Sequence, residues 1–348
     1  MSIKFKFLKA GHGDAIFIST DTTNILIDGG TRDTYIDSIS DIYEELKESN
    51  QNLDLVILTH MDNDHIEGLI ELLEEEVAEI LEDDDYIPTI KEVWFNSLDY
   101  KIFNKISPNS YIGAREQVTF REFIHNIKDK IAYKEYISVD SETMLEKNEI
   151  KFILLSPNDN KLKKAYKKNE EILRDYISST KESFSKDCDE SIEDLALNPL
   201  GGDSSVSNGS SIAFILIYDN KKYLFLGDAH IPLVVENLKK HQKYFNKEGK
   251  IEFEFVKLSH HGSRYNLNQA FLNLIATDNF IILTDGSHSR HPHKETLSKI
   301  ILNMQRKKSD STINFIFNYK HMIYHNRLQE EQEKRGFRLL YSSCFPLS

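Results

Sequence analysis

The sequence predicts an α/β protein made of two similar β-rich halves that share one site. In the first half an apolar strand ends at Asp28, and the next apolar strand is followed by His60. In the second half Asp228 and His260 occupy the corresponding places, and the spacing within each pair is the same, 32 residues. A helical pattern lies between the two strands of each pair. Two strand–Asp–helix–strand–His units of equal length are typical of a pseudo-twofold architecture.

The first half alternates strands and helices in a regular order. Apolar runs and period-two patterns predict its strands, and the 3.6-residue apolar period predicts its helices. The predicted strands of this half cover 3–8, 15–19, 25–27 and 53–58, and its predicted helix lies at 34–49. Between the halves lie less regular regions, in which we expect a helix within 69–90, a strand at 93–96, a helix at 115–131 and a strand at 150–155.

The second half repeats this plan after a polar stretch. Its predicted strands cover 211–217, 222–226, 253–258, 280–284, 313–317 and 337–342, and its predicted helices lie at 228–244, after 264 and at 294–307. The stretch at about 157–208 is rich in lysine and reads as a partly helical surface insertion, or as an arm that brings positive charge to the site. We therefore expect one domain, 1–348, with an insertion at 157–208.

Composition excludes several classes of protein. With only Cys188 and Cys344, the chain has neither a cysteine ligand cluster nor a disulfide framework. The sequence shows no signal peptide and no run of about 18 apolar residues, so we expect a cytoplasmic protein without a membrane partner. A net charge of −13 argues against wrapping of nucleic acid along a basic face, but bound cations can still attract a phosphodiester at one site.

The most informative stretch follows the apolar run 55–58. Four side chains able to bind metal come within six residues, in the pattern H-x-D-x-D-H: His60, Asp62, Asp64 and His65. Packed together without a cation, two carboxylates and two imidazoles would suffer repulsion and desolvation. A divalent ion removes both costs. Asp228 also ends a strand, so it is either a ligand at the same edge or the cap of the helix that follows.

These residues resemble a known family. Residues 59–68 look like the T-H-x-H-x-D-H-x-G signature of the metallo-β-lactamase fold, in the variant whose middle His is Asp, which resembles the ComEC-type hydrolase domain and its soluble stand-alone relatives. The resemblance continues, in the family's order, at 11–15, 24–30, 226–228, 260–263 and 291–293. It implies a four-layer αββα sandwich with two pseudo-symmetric β-rich halves.

The resemblance also implies a dinuclear site. It assigns His60 and Asp62 to one ion, Asp64 and His65 to the other, and Asp228 as a bridge. The family's usual mid-chain His is missing, and the segment around Asn208 stands in its place. This ligand set is rich in oxygen, which favours manganese, with zinc or magnesium as alternatives.

Four further histidines are candidates for the chemistry. We expect His260 to be a metal ligand because it follows its strand as His60 does, and His261 to contact substrate or support the ligands. His291 and His293, in a His-Pro-His loop, either contact a phosphate or act as an acid, unless the loop is an ordinary surface loop. Asp64 is assigned to catalysis as well as to metal binding.

The resemblance makes a metal-dependent hydrolase the leading function. The favoured interpretation is a phosphodiesterase or nuclease that uses a metal-activated hydroxide at a dinuclear site on a phosphodiester, with DNA as a candidate substrate. The alternatives are hydrolysis of a non-nucleotide ester, lactone or amide, which the same fold supports, and an inactive regulatory member. The intact metal motif argues against the last. The sequence names no protein partner.

Overall fold

The computed structural model describes residues 2–97, 112–172, 187–199, 201–245, 249–288, 290–304 and 311–347. The predicted insertion is thus described at 157–172, 187–199 and 201–208, and the rest of it lies outside the described residues. The end of the predicted helix 294–307 also lies outside them. Among the described residues, no helix is both long and apolar enough to cross a membrane. That the chain forms one domain stays a prediction.

The strands are short, and most of them are buried. In chain order they are β1 Lys4–Phe7, β2 Ile16–Ser19, β3 Asn24–Ile27, β4 Leu55–Ile57, β5 Glu92–Phe95, β6 Ala132–Glu135, β7 Met144–Lys147, β8 Ile150–Ser156, β9 Ala213–Tyr218, β10 Lys221–Phe225, β11 Ile251–Glu252, β12 Phe255–Lys257, β13 Ile275–Ala276, β14 Asn279–Ile282, β15 Ile313–Phe317, β16 Phe337–Tyr341 and β17 Cys344–Phe345.

The helices fill the connections between strands. A π-helical turn at Tyr35–Ile39 joins the helix Arg32–Thr34 to the helix Ser40–Glu48. The α-helices are Arg32–Thr34, Ser40–Glu48, Asn63–Glu82, Ile112–Asn126, Asp159–Ile172, Ile192–Leu197, Val206–Gly209, Ile231–Phe245, Gln269–Leu274, Lys294–Asn303, Met322–His325 and Gln332–Arg335.

Two large sheets carry the architecture. The first has the order β17-β1-β2-β3-β4-β5-β6, and the second has the order β16-β15-β14-β12-β10-β9-β8-β7. Pairing is antiparallel from β1 to β3 and parallel from β3 to β6. In the second sheet β10, β12, β14, β15 and β16 are mutually parallel. The carboxyl ends of β3 and β4, and those of β10 and β12, therefore meet at one edge, as the equal spacing predicts.

Three apolar clusters separate four layers. Between the sheets, Phe5 packs edge-on against Phe255 with ring centroids 4.9 Å apart. Outside the first sheet, helix Asn63–Glu82 buries Leu69 and Leu72. Outside the second sheet, helix Ile231–Phe245 buries Val234 and Leu238 together with other apolar residues of that layer. Burial of apolar area on both faces of each sheet stabilises this αββα order, and the predicted four-layer fold is confirmed.

Some predicted boundaries were wrong. The helix expected within 69–90 begins at Asn63, so the metal motif runs into its first turn. Asp62 occupies the N-cap position, where aspartate is favoured, and the carboxylate of Asp64 is stabilised near the positive end of the helix dipole. Strands β6 and β17 were not predicted, because they are partly exposed edge strands without a clear apolar pattern. Strand β7 was not predicted either, for the same reason.

Candidate metal centre

The candidate site lies where strands of both sheets end. The loop after β4 carries His60, the turn after β10 carries Asp228, and the turn after β12 carries His260. A hydrogen bond at 2.8 Å from the Ile212 amide to the Thr59 carbonyl joins the two halves beside the site. Ligands of α/β sheets bind at the carboxyl ends of parallel strands, so this edge is a suitable place for chemistry.

One group of side chains gathers on one side of Asp228. His60 Nε2 lies 3.5 Å from Asp62 Oδ2 and 3.8 Å from Asp228 Oδ2. His260 Nε2 also lies 3.8 Å from Asp228 Oδ2. Ligand atoms about 2.0–2.2 Å from one tetrahedral ion lie roughly 3–4 Å from one another. The spacing of this group therefore suits a shared cation.

A second group faces the other oxygen of Asp228. His65 Nε2 lies 3.7 Å from Asp228 Oδ1 and 3.9 Å from Asp64 Oδ2. His261 Nε2 lies 3.5 Å from Asp64 Oδ2 and 4.0 Å from Asp228 Oδ1. Since each oxygen of Asp228 faces a different group, its carboxylate has the orientation that a bridging ligand needs.

The unsatisfied atoms of the site point to a cation. The Nε2 atoms of His60, His65 and His261 and the Oδ1 atom of Asp228 are buried without a hydrogen-bond partner. Buried polar atoms are normally paired, and orphaned ones are costly. Here the orphans converge on the same space, and donor atoms of this kind bind divalent metals. The residues present therefore fit a metal centre.

Asp28 orients one of these imidazoles. Its Oδ1 accepts a hydrogen bond from the Thr59 amide at 2.7 Å, and its Oδ2 accepts one from the Thr59 hydroxyl at 2.8 Å. The same Oδ2 lies 2.9 Å from His65 Nδ1. A carboxylate behind a histidine fixes the ring and its tautomer, which leaves Nε2 free for an ion. Asp28 thus braces the imidazole of His65.

A buried ion pair supports His261 from behind. Asp14 Oδ2 accepts a hydrogen bond from Lys257 Nζ, and its Oδ1 lies 3.2 Å from His261 Nδ1. His261 Nδ1 also lies 2.8 Å from the carbonyl oxygen of Leu283. Burial by itself lowers the pKa of His261, but Asp14 and Asp228 raise it to about 10. Asp14 and Lys257 come from opposite halves, so their pairing ties the two halves together beneath the site.

The backbone at the two adjacent histidines explains why both reach the site. His260 and His261 have φ values of 48° and 53°, a left-handed conformation that is uncommon outside glycine. Such local strain is retained where the surrounding structure imposes it, often at functional sites. We expected His260 to be the ligand and His261 to play a supporting part. The structure instead brings both Nε2 atoms to Asp228, with that of His261 the more deeply buried.

The segment that replaces the missing histidine braces His260. Asp203 Oδ2 accepts hydrogen bonds from Asn208 at 2.8 Å and Asn266 at 3.0 Å, and it lies 3.6 Å from His260 Nδ1. Although burial raises its pKa, the adjacent His260 imidazole and the hydrogen bonds from Asn208 and Asn266 hold the pKa of Asp203 well below its usual range. The Ser207 hydroxyl donates to Asp62. Asn208 therefore supports a neighbouring imidazole, and the sequence reading missed Asp203.

The His-Pro-His loop forms a wall of the site. His291 is buried, with its ring centroid 4.8 Å from that of His260. His293 is also buried, and its Nδ1 accepts a hydrogen bond from the Arg264 amide at 3.2 Å. Burial, followed by the charges of His260 and His293, lowers the pKa of His291 well below its usual value, and burial lowers that of His293 to about 4. The alternative of an ordinary surface loop is wrong.

Part of the lysine-rich segment reaches the periphery of the site. Helix Asp159–Ile172 packs against the short helix Val206–Gly209, which carries Asn208. Lys161 Nζ lies 2.5 Å from His230 Nδ1. Burial and the nearby Lys164 lower the pKa of Lys161. This lysine therefore contacts His230 at the periphery of the site, and the rest of the positive arm stays a prediction.

Comparisons with known proteins agree with this fold. Residues 8–131 match the family model described as the metallo-beta-lactamase superfamily. No curated protein matches the chain. The predicted resemblance to the metallo-β-lactamase superfamily is thereby confirmed over residues 8–131, whereas the narrower ComEC-type resemblance stays a prediction.

Solved structures similar to the chain share little sequence with it. The metallo-beta-lactamase fold protein YhfI from Bacillus subtilis is 8% identical with a TM-score of 0.43, over 98% of this chain and 97% of that chain. The short form of human tRNase Z is 10% identical with a TM-score of 0.39, over 97% of this chain and 96% of that chain. Igni18 from Ignicoccus hospitalis, described as a novel metallo hydrolase, is 11% identical with a TM-score of 0.40, over 99% of this chain and 100% of that chain. Structural similarities with such low sequence identity do not indicate the substrate of this chain.

Proposed function

We propose that this chain, whose residues 8–131 match the metallo-beta-lactamase superfamily, is a metal-dependent phosphodiesterase and specifically a nuclease. The proposed ligands are His60, Asp62 and His260 on one side of Asp228, and Asp64, His65 and His261 on the other. Divalent ions held by these residues would supply Lewis acidity and would make water a stronger acid. The remaining tasks, binding and orienting the substrate, are carried out by side chains of the protein.

The observation that carries the proposal is the oxygen-rich character of the donor set. Asp62 stands where the common signature has a histidine, its carboxylate lies 3.5 Å from His60 Nε2, and its side chain is 39% exposed at the open side of the site. Hard oxygen donors favour manganese or magnesium over zinc. The charge of two such ions exceeds that of the three ligand carboxylates, which suits an anionic phosphate better than a neutral amide.

The remaining histidines are placed to act on the substrate. His291 packs against His260, and His293 lies behind it with a ring centroid 4.9 Å from that of His291. In the proposed reaction His291 donates a hydrogen bond to a phosphoryl oxygen and His293 holds it in place, while Asp64 and His261 fix the geometry of the second group. Positioned donors of this kind stabilise charge that develops in the transition state.

A metal-by-substrate screen tests this proposal. We expect metal-free protein to hydrolyse bis(p-nitrophenyl) phosphate and single-stranded DNA when manganese is added, and to do so poorly with zinc. His60→Ala and Asp64→Ala should both be inactive, because each lacks a proposed ligand. Equal cleavage by these variants would mean that a contaminating nuclease is responsible. Opening of lactones or lactams without any diester hydrolysis would overturn the proposal.

A variant of the loop separates the role of the histidines from metal binding. His293→Ala should keep its metal, measured by elemental analysis, and lose about 10²-fold or more in kcat on the diester, since His291 loses the neighbour that holds it and a positioned donor contributes about that much. His241→Ala, on the outer helix Ile231–Phe245, is the matched control and should behave as wild type. Metal loss in proportion to activity would make the loop a source of ligands instead.

A further inference from the structure

A second concave surface lies along the same sheet edge as the metal centre. It has a volume of about 530 Å³. Three tyrosines, two lysines, one histidine and one asparagine line it: Tyr319, Tyr324, Tyr341, Lys9, Lys320, His321 and Asn318. We refer to this surface as the tyrosine pocket. Most of its residues follow the carboxyl ends of β15 and β16, or lie at the end of β1.

The sheet order fixes the distance between the tyrosine pocket and the metal centre. Strands β12, β14, β15 and β16 are parallel neighbours, and β12 leads to His260. Neighbouring strands are about 4.8 Å apart, so the pocket begins roughly 10–15 Å along the edge from the metal centre. A nucleic-acid strand advances by about 3.4 Å or more per nucleotide, so this distance corresponds to a few nucleotides.

The loop that borders the metal centre also contacts the tyrosine pocket. The Gly11 amide donates to the Tyr319 hydroxyl at 2.8 Å, which holds that ring in place. Two residues further on, Gly13 packs against the backbone of Asp64. His321 Nε2 lies 2.8 Å from the carbonyl oxygen of Asp285, on the loop that leads to His291. The pocket and the metal centre thus share two loops.

The tyrosine pocket is lined by aromatic and basic side chains, whereas the chain as a whole is acidic. Tyr324 is 65% exposed and Tyr341 is 45% exposed, so their rings are open to a flat ligand. Lys9 and Lys320 are exposed beside them. Among the described residues that line the pocket there is no carboxylate, although the chain carries a net charge of −13. Aromatic rings interleaved with cations are the usual elements of a single-strand binding surface.

We propose that the tyrosine pocket binds a single-stranded nucleic acid a few nucleotides from the bond placed at the metal centre. Bases stack on Tyr324 and Tyr341, and Lys9 and Lys320 contact the flanking phosphates. This inference rests on the proposed phosphodiesterase function and names its substrate class. A duplex, whose bases are already stacked on one another, cannot offer them to the tyrosines without unpairing.

The test compares binding with small-substrate turnover. The double variant Tyr324→Ala/Tyr341→Ala and the charge reversal Lys320→Glu change exposed side chains outside the metal centre. Tyr244→Ala, at a tyrosine that is 72% exposed on the outer helix, is the matched control. Fluorescence anisotropy with labelled single strands of about 12 nucleotides, as DNA and as RNA, gives Kd, and a duplex of the same sequence serves as a second probe.

We expect Kd for at least one single strand to rise about tenfold or more in the double variant, and to rise in Lys320→Glu. Both variants should hydrolyse bis(p-nitrophenyl) phosphate as wild type does, because this diester has no flanking nucleotides. Unchanged Kd for both strands, or an equal loss for the duplex, would overturn the inference. If wild type ignores the small diester as well, the proposed function itself has failed, and the two failures are thereby distinguished.

Discussion

The Asp228→Ala variant is expected to lose most of its divalent metal and to hydrolyse phosphodiesters at least about 10²–10³-fold more slowly than wild type, the scale seen when one electrostatic stabiliser is removed. The reason is the position of the side chain. One carboxylate oxygen of Asp228 faces His60 and His260, and the other faces His65 and His261. A single substitution therefore weakens both groups of ligands at once.

The fold should survive this change. Asp228 lies at the sheet edge between the apolar layers and belongs to none of the three apolar clusters. Elemental analysis and circular dichroism on the same preparation separate metal loss from unfolding. Asp228→Asn keeps the shape of the side chain, and Asp85→Ala removes an exposed aspartate as a control. Full metal content in Asp228→Ala would show that this carboxylate is not a ligand.

The Gly13→Ala variant is expected to be destabilised by about 3 kcal/mol or more and to bind metal weakly, because a methyl group has no space there. A Cβ atom at Gly13 would overlap the carbonyl oxygen of Asp64. That carbonyl accepts the Asp14 amide hydrogen bond at 3.2 Å. A backbone atom cannot rotate aside as a side chain does, so the loop that carries Asp14 must move away from the helix that carries Asp64.

The control for this prediction is another glycine. Gly202→Ala introduces the same methyl group at a position with no atom within 4 Å, so its stability should match that of wild type. Thermal unfolding and manganese titration of Gly13→Ala and Gly202→Ala decide the matter. If Gly13→Ala melts and binds manganese as Gly202→Ala does, the close packing of the two loops is not a requirement of the site.

Much of the architecture could be predicted from the sequence because it is encoded locally. Strands buried on both faces, such as β4, read as uninterrupted apolar runs. The equal spacing from Asp28 to His60 and from Asp228 to His260 predicted two similar halves that meet at one shared site. Strand β6 could not be predicted in this way, because it is partly exposed and lacks an apolar pattern of its own.

The finer geometry of the site depends on contacts between residues far apart in the sequence, and such contacts leave little trace in the local sequence pattern. Asp14 and Lys257 are 243 residues apart in sequence, and only the packing of the two halves brings them together. A lysine at the end of the apolar strand β12 is the one sign of this pairing, since a buried ammonium needs a partner. Likewise, the left-handed backbone of His260 and His261 runs against the local preference of both residues, so analogy with His60 did not reveal that both imidazoles face Asp228.

The most direct test of the account is the anomalous diffraction of crystals grown with manganese. The account predicts two peaks about 3.5–4 Å apart, the usual separation of a dinuclear site, lying on opposite sides of Asp228. One peak should be bounded by His60, Asp62 and His260, and the other by Asp64, His65 and His261. The absence of any peak beside Asp228, at full manganese saturation, would contradict the claim that the two halves share a metal centre.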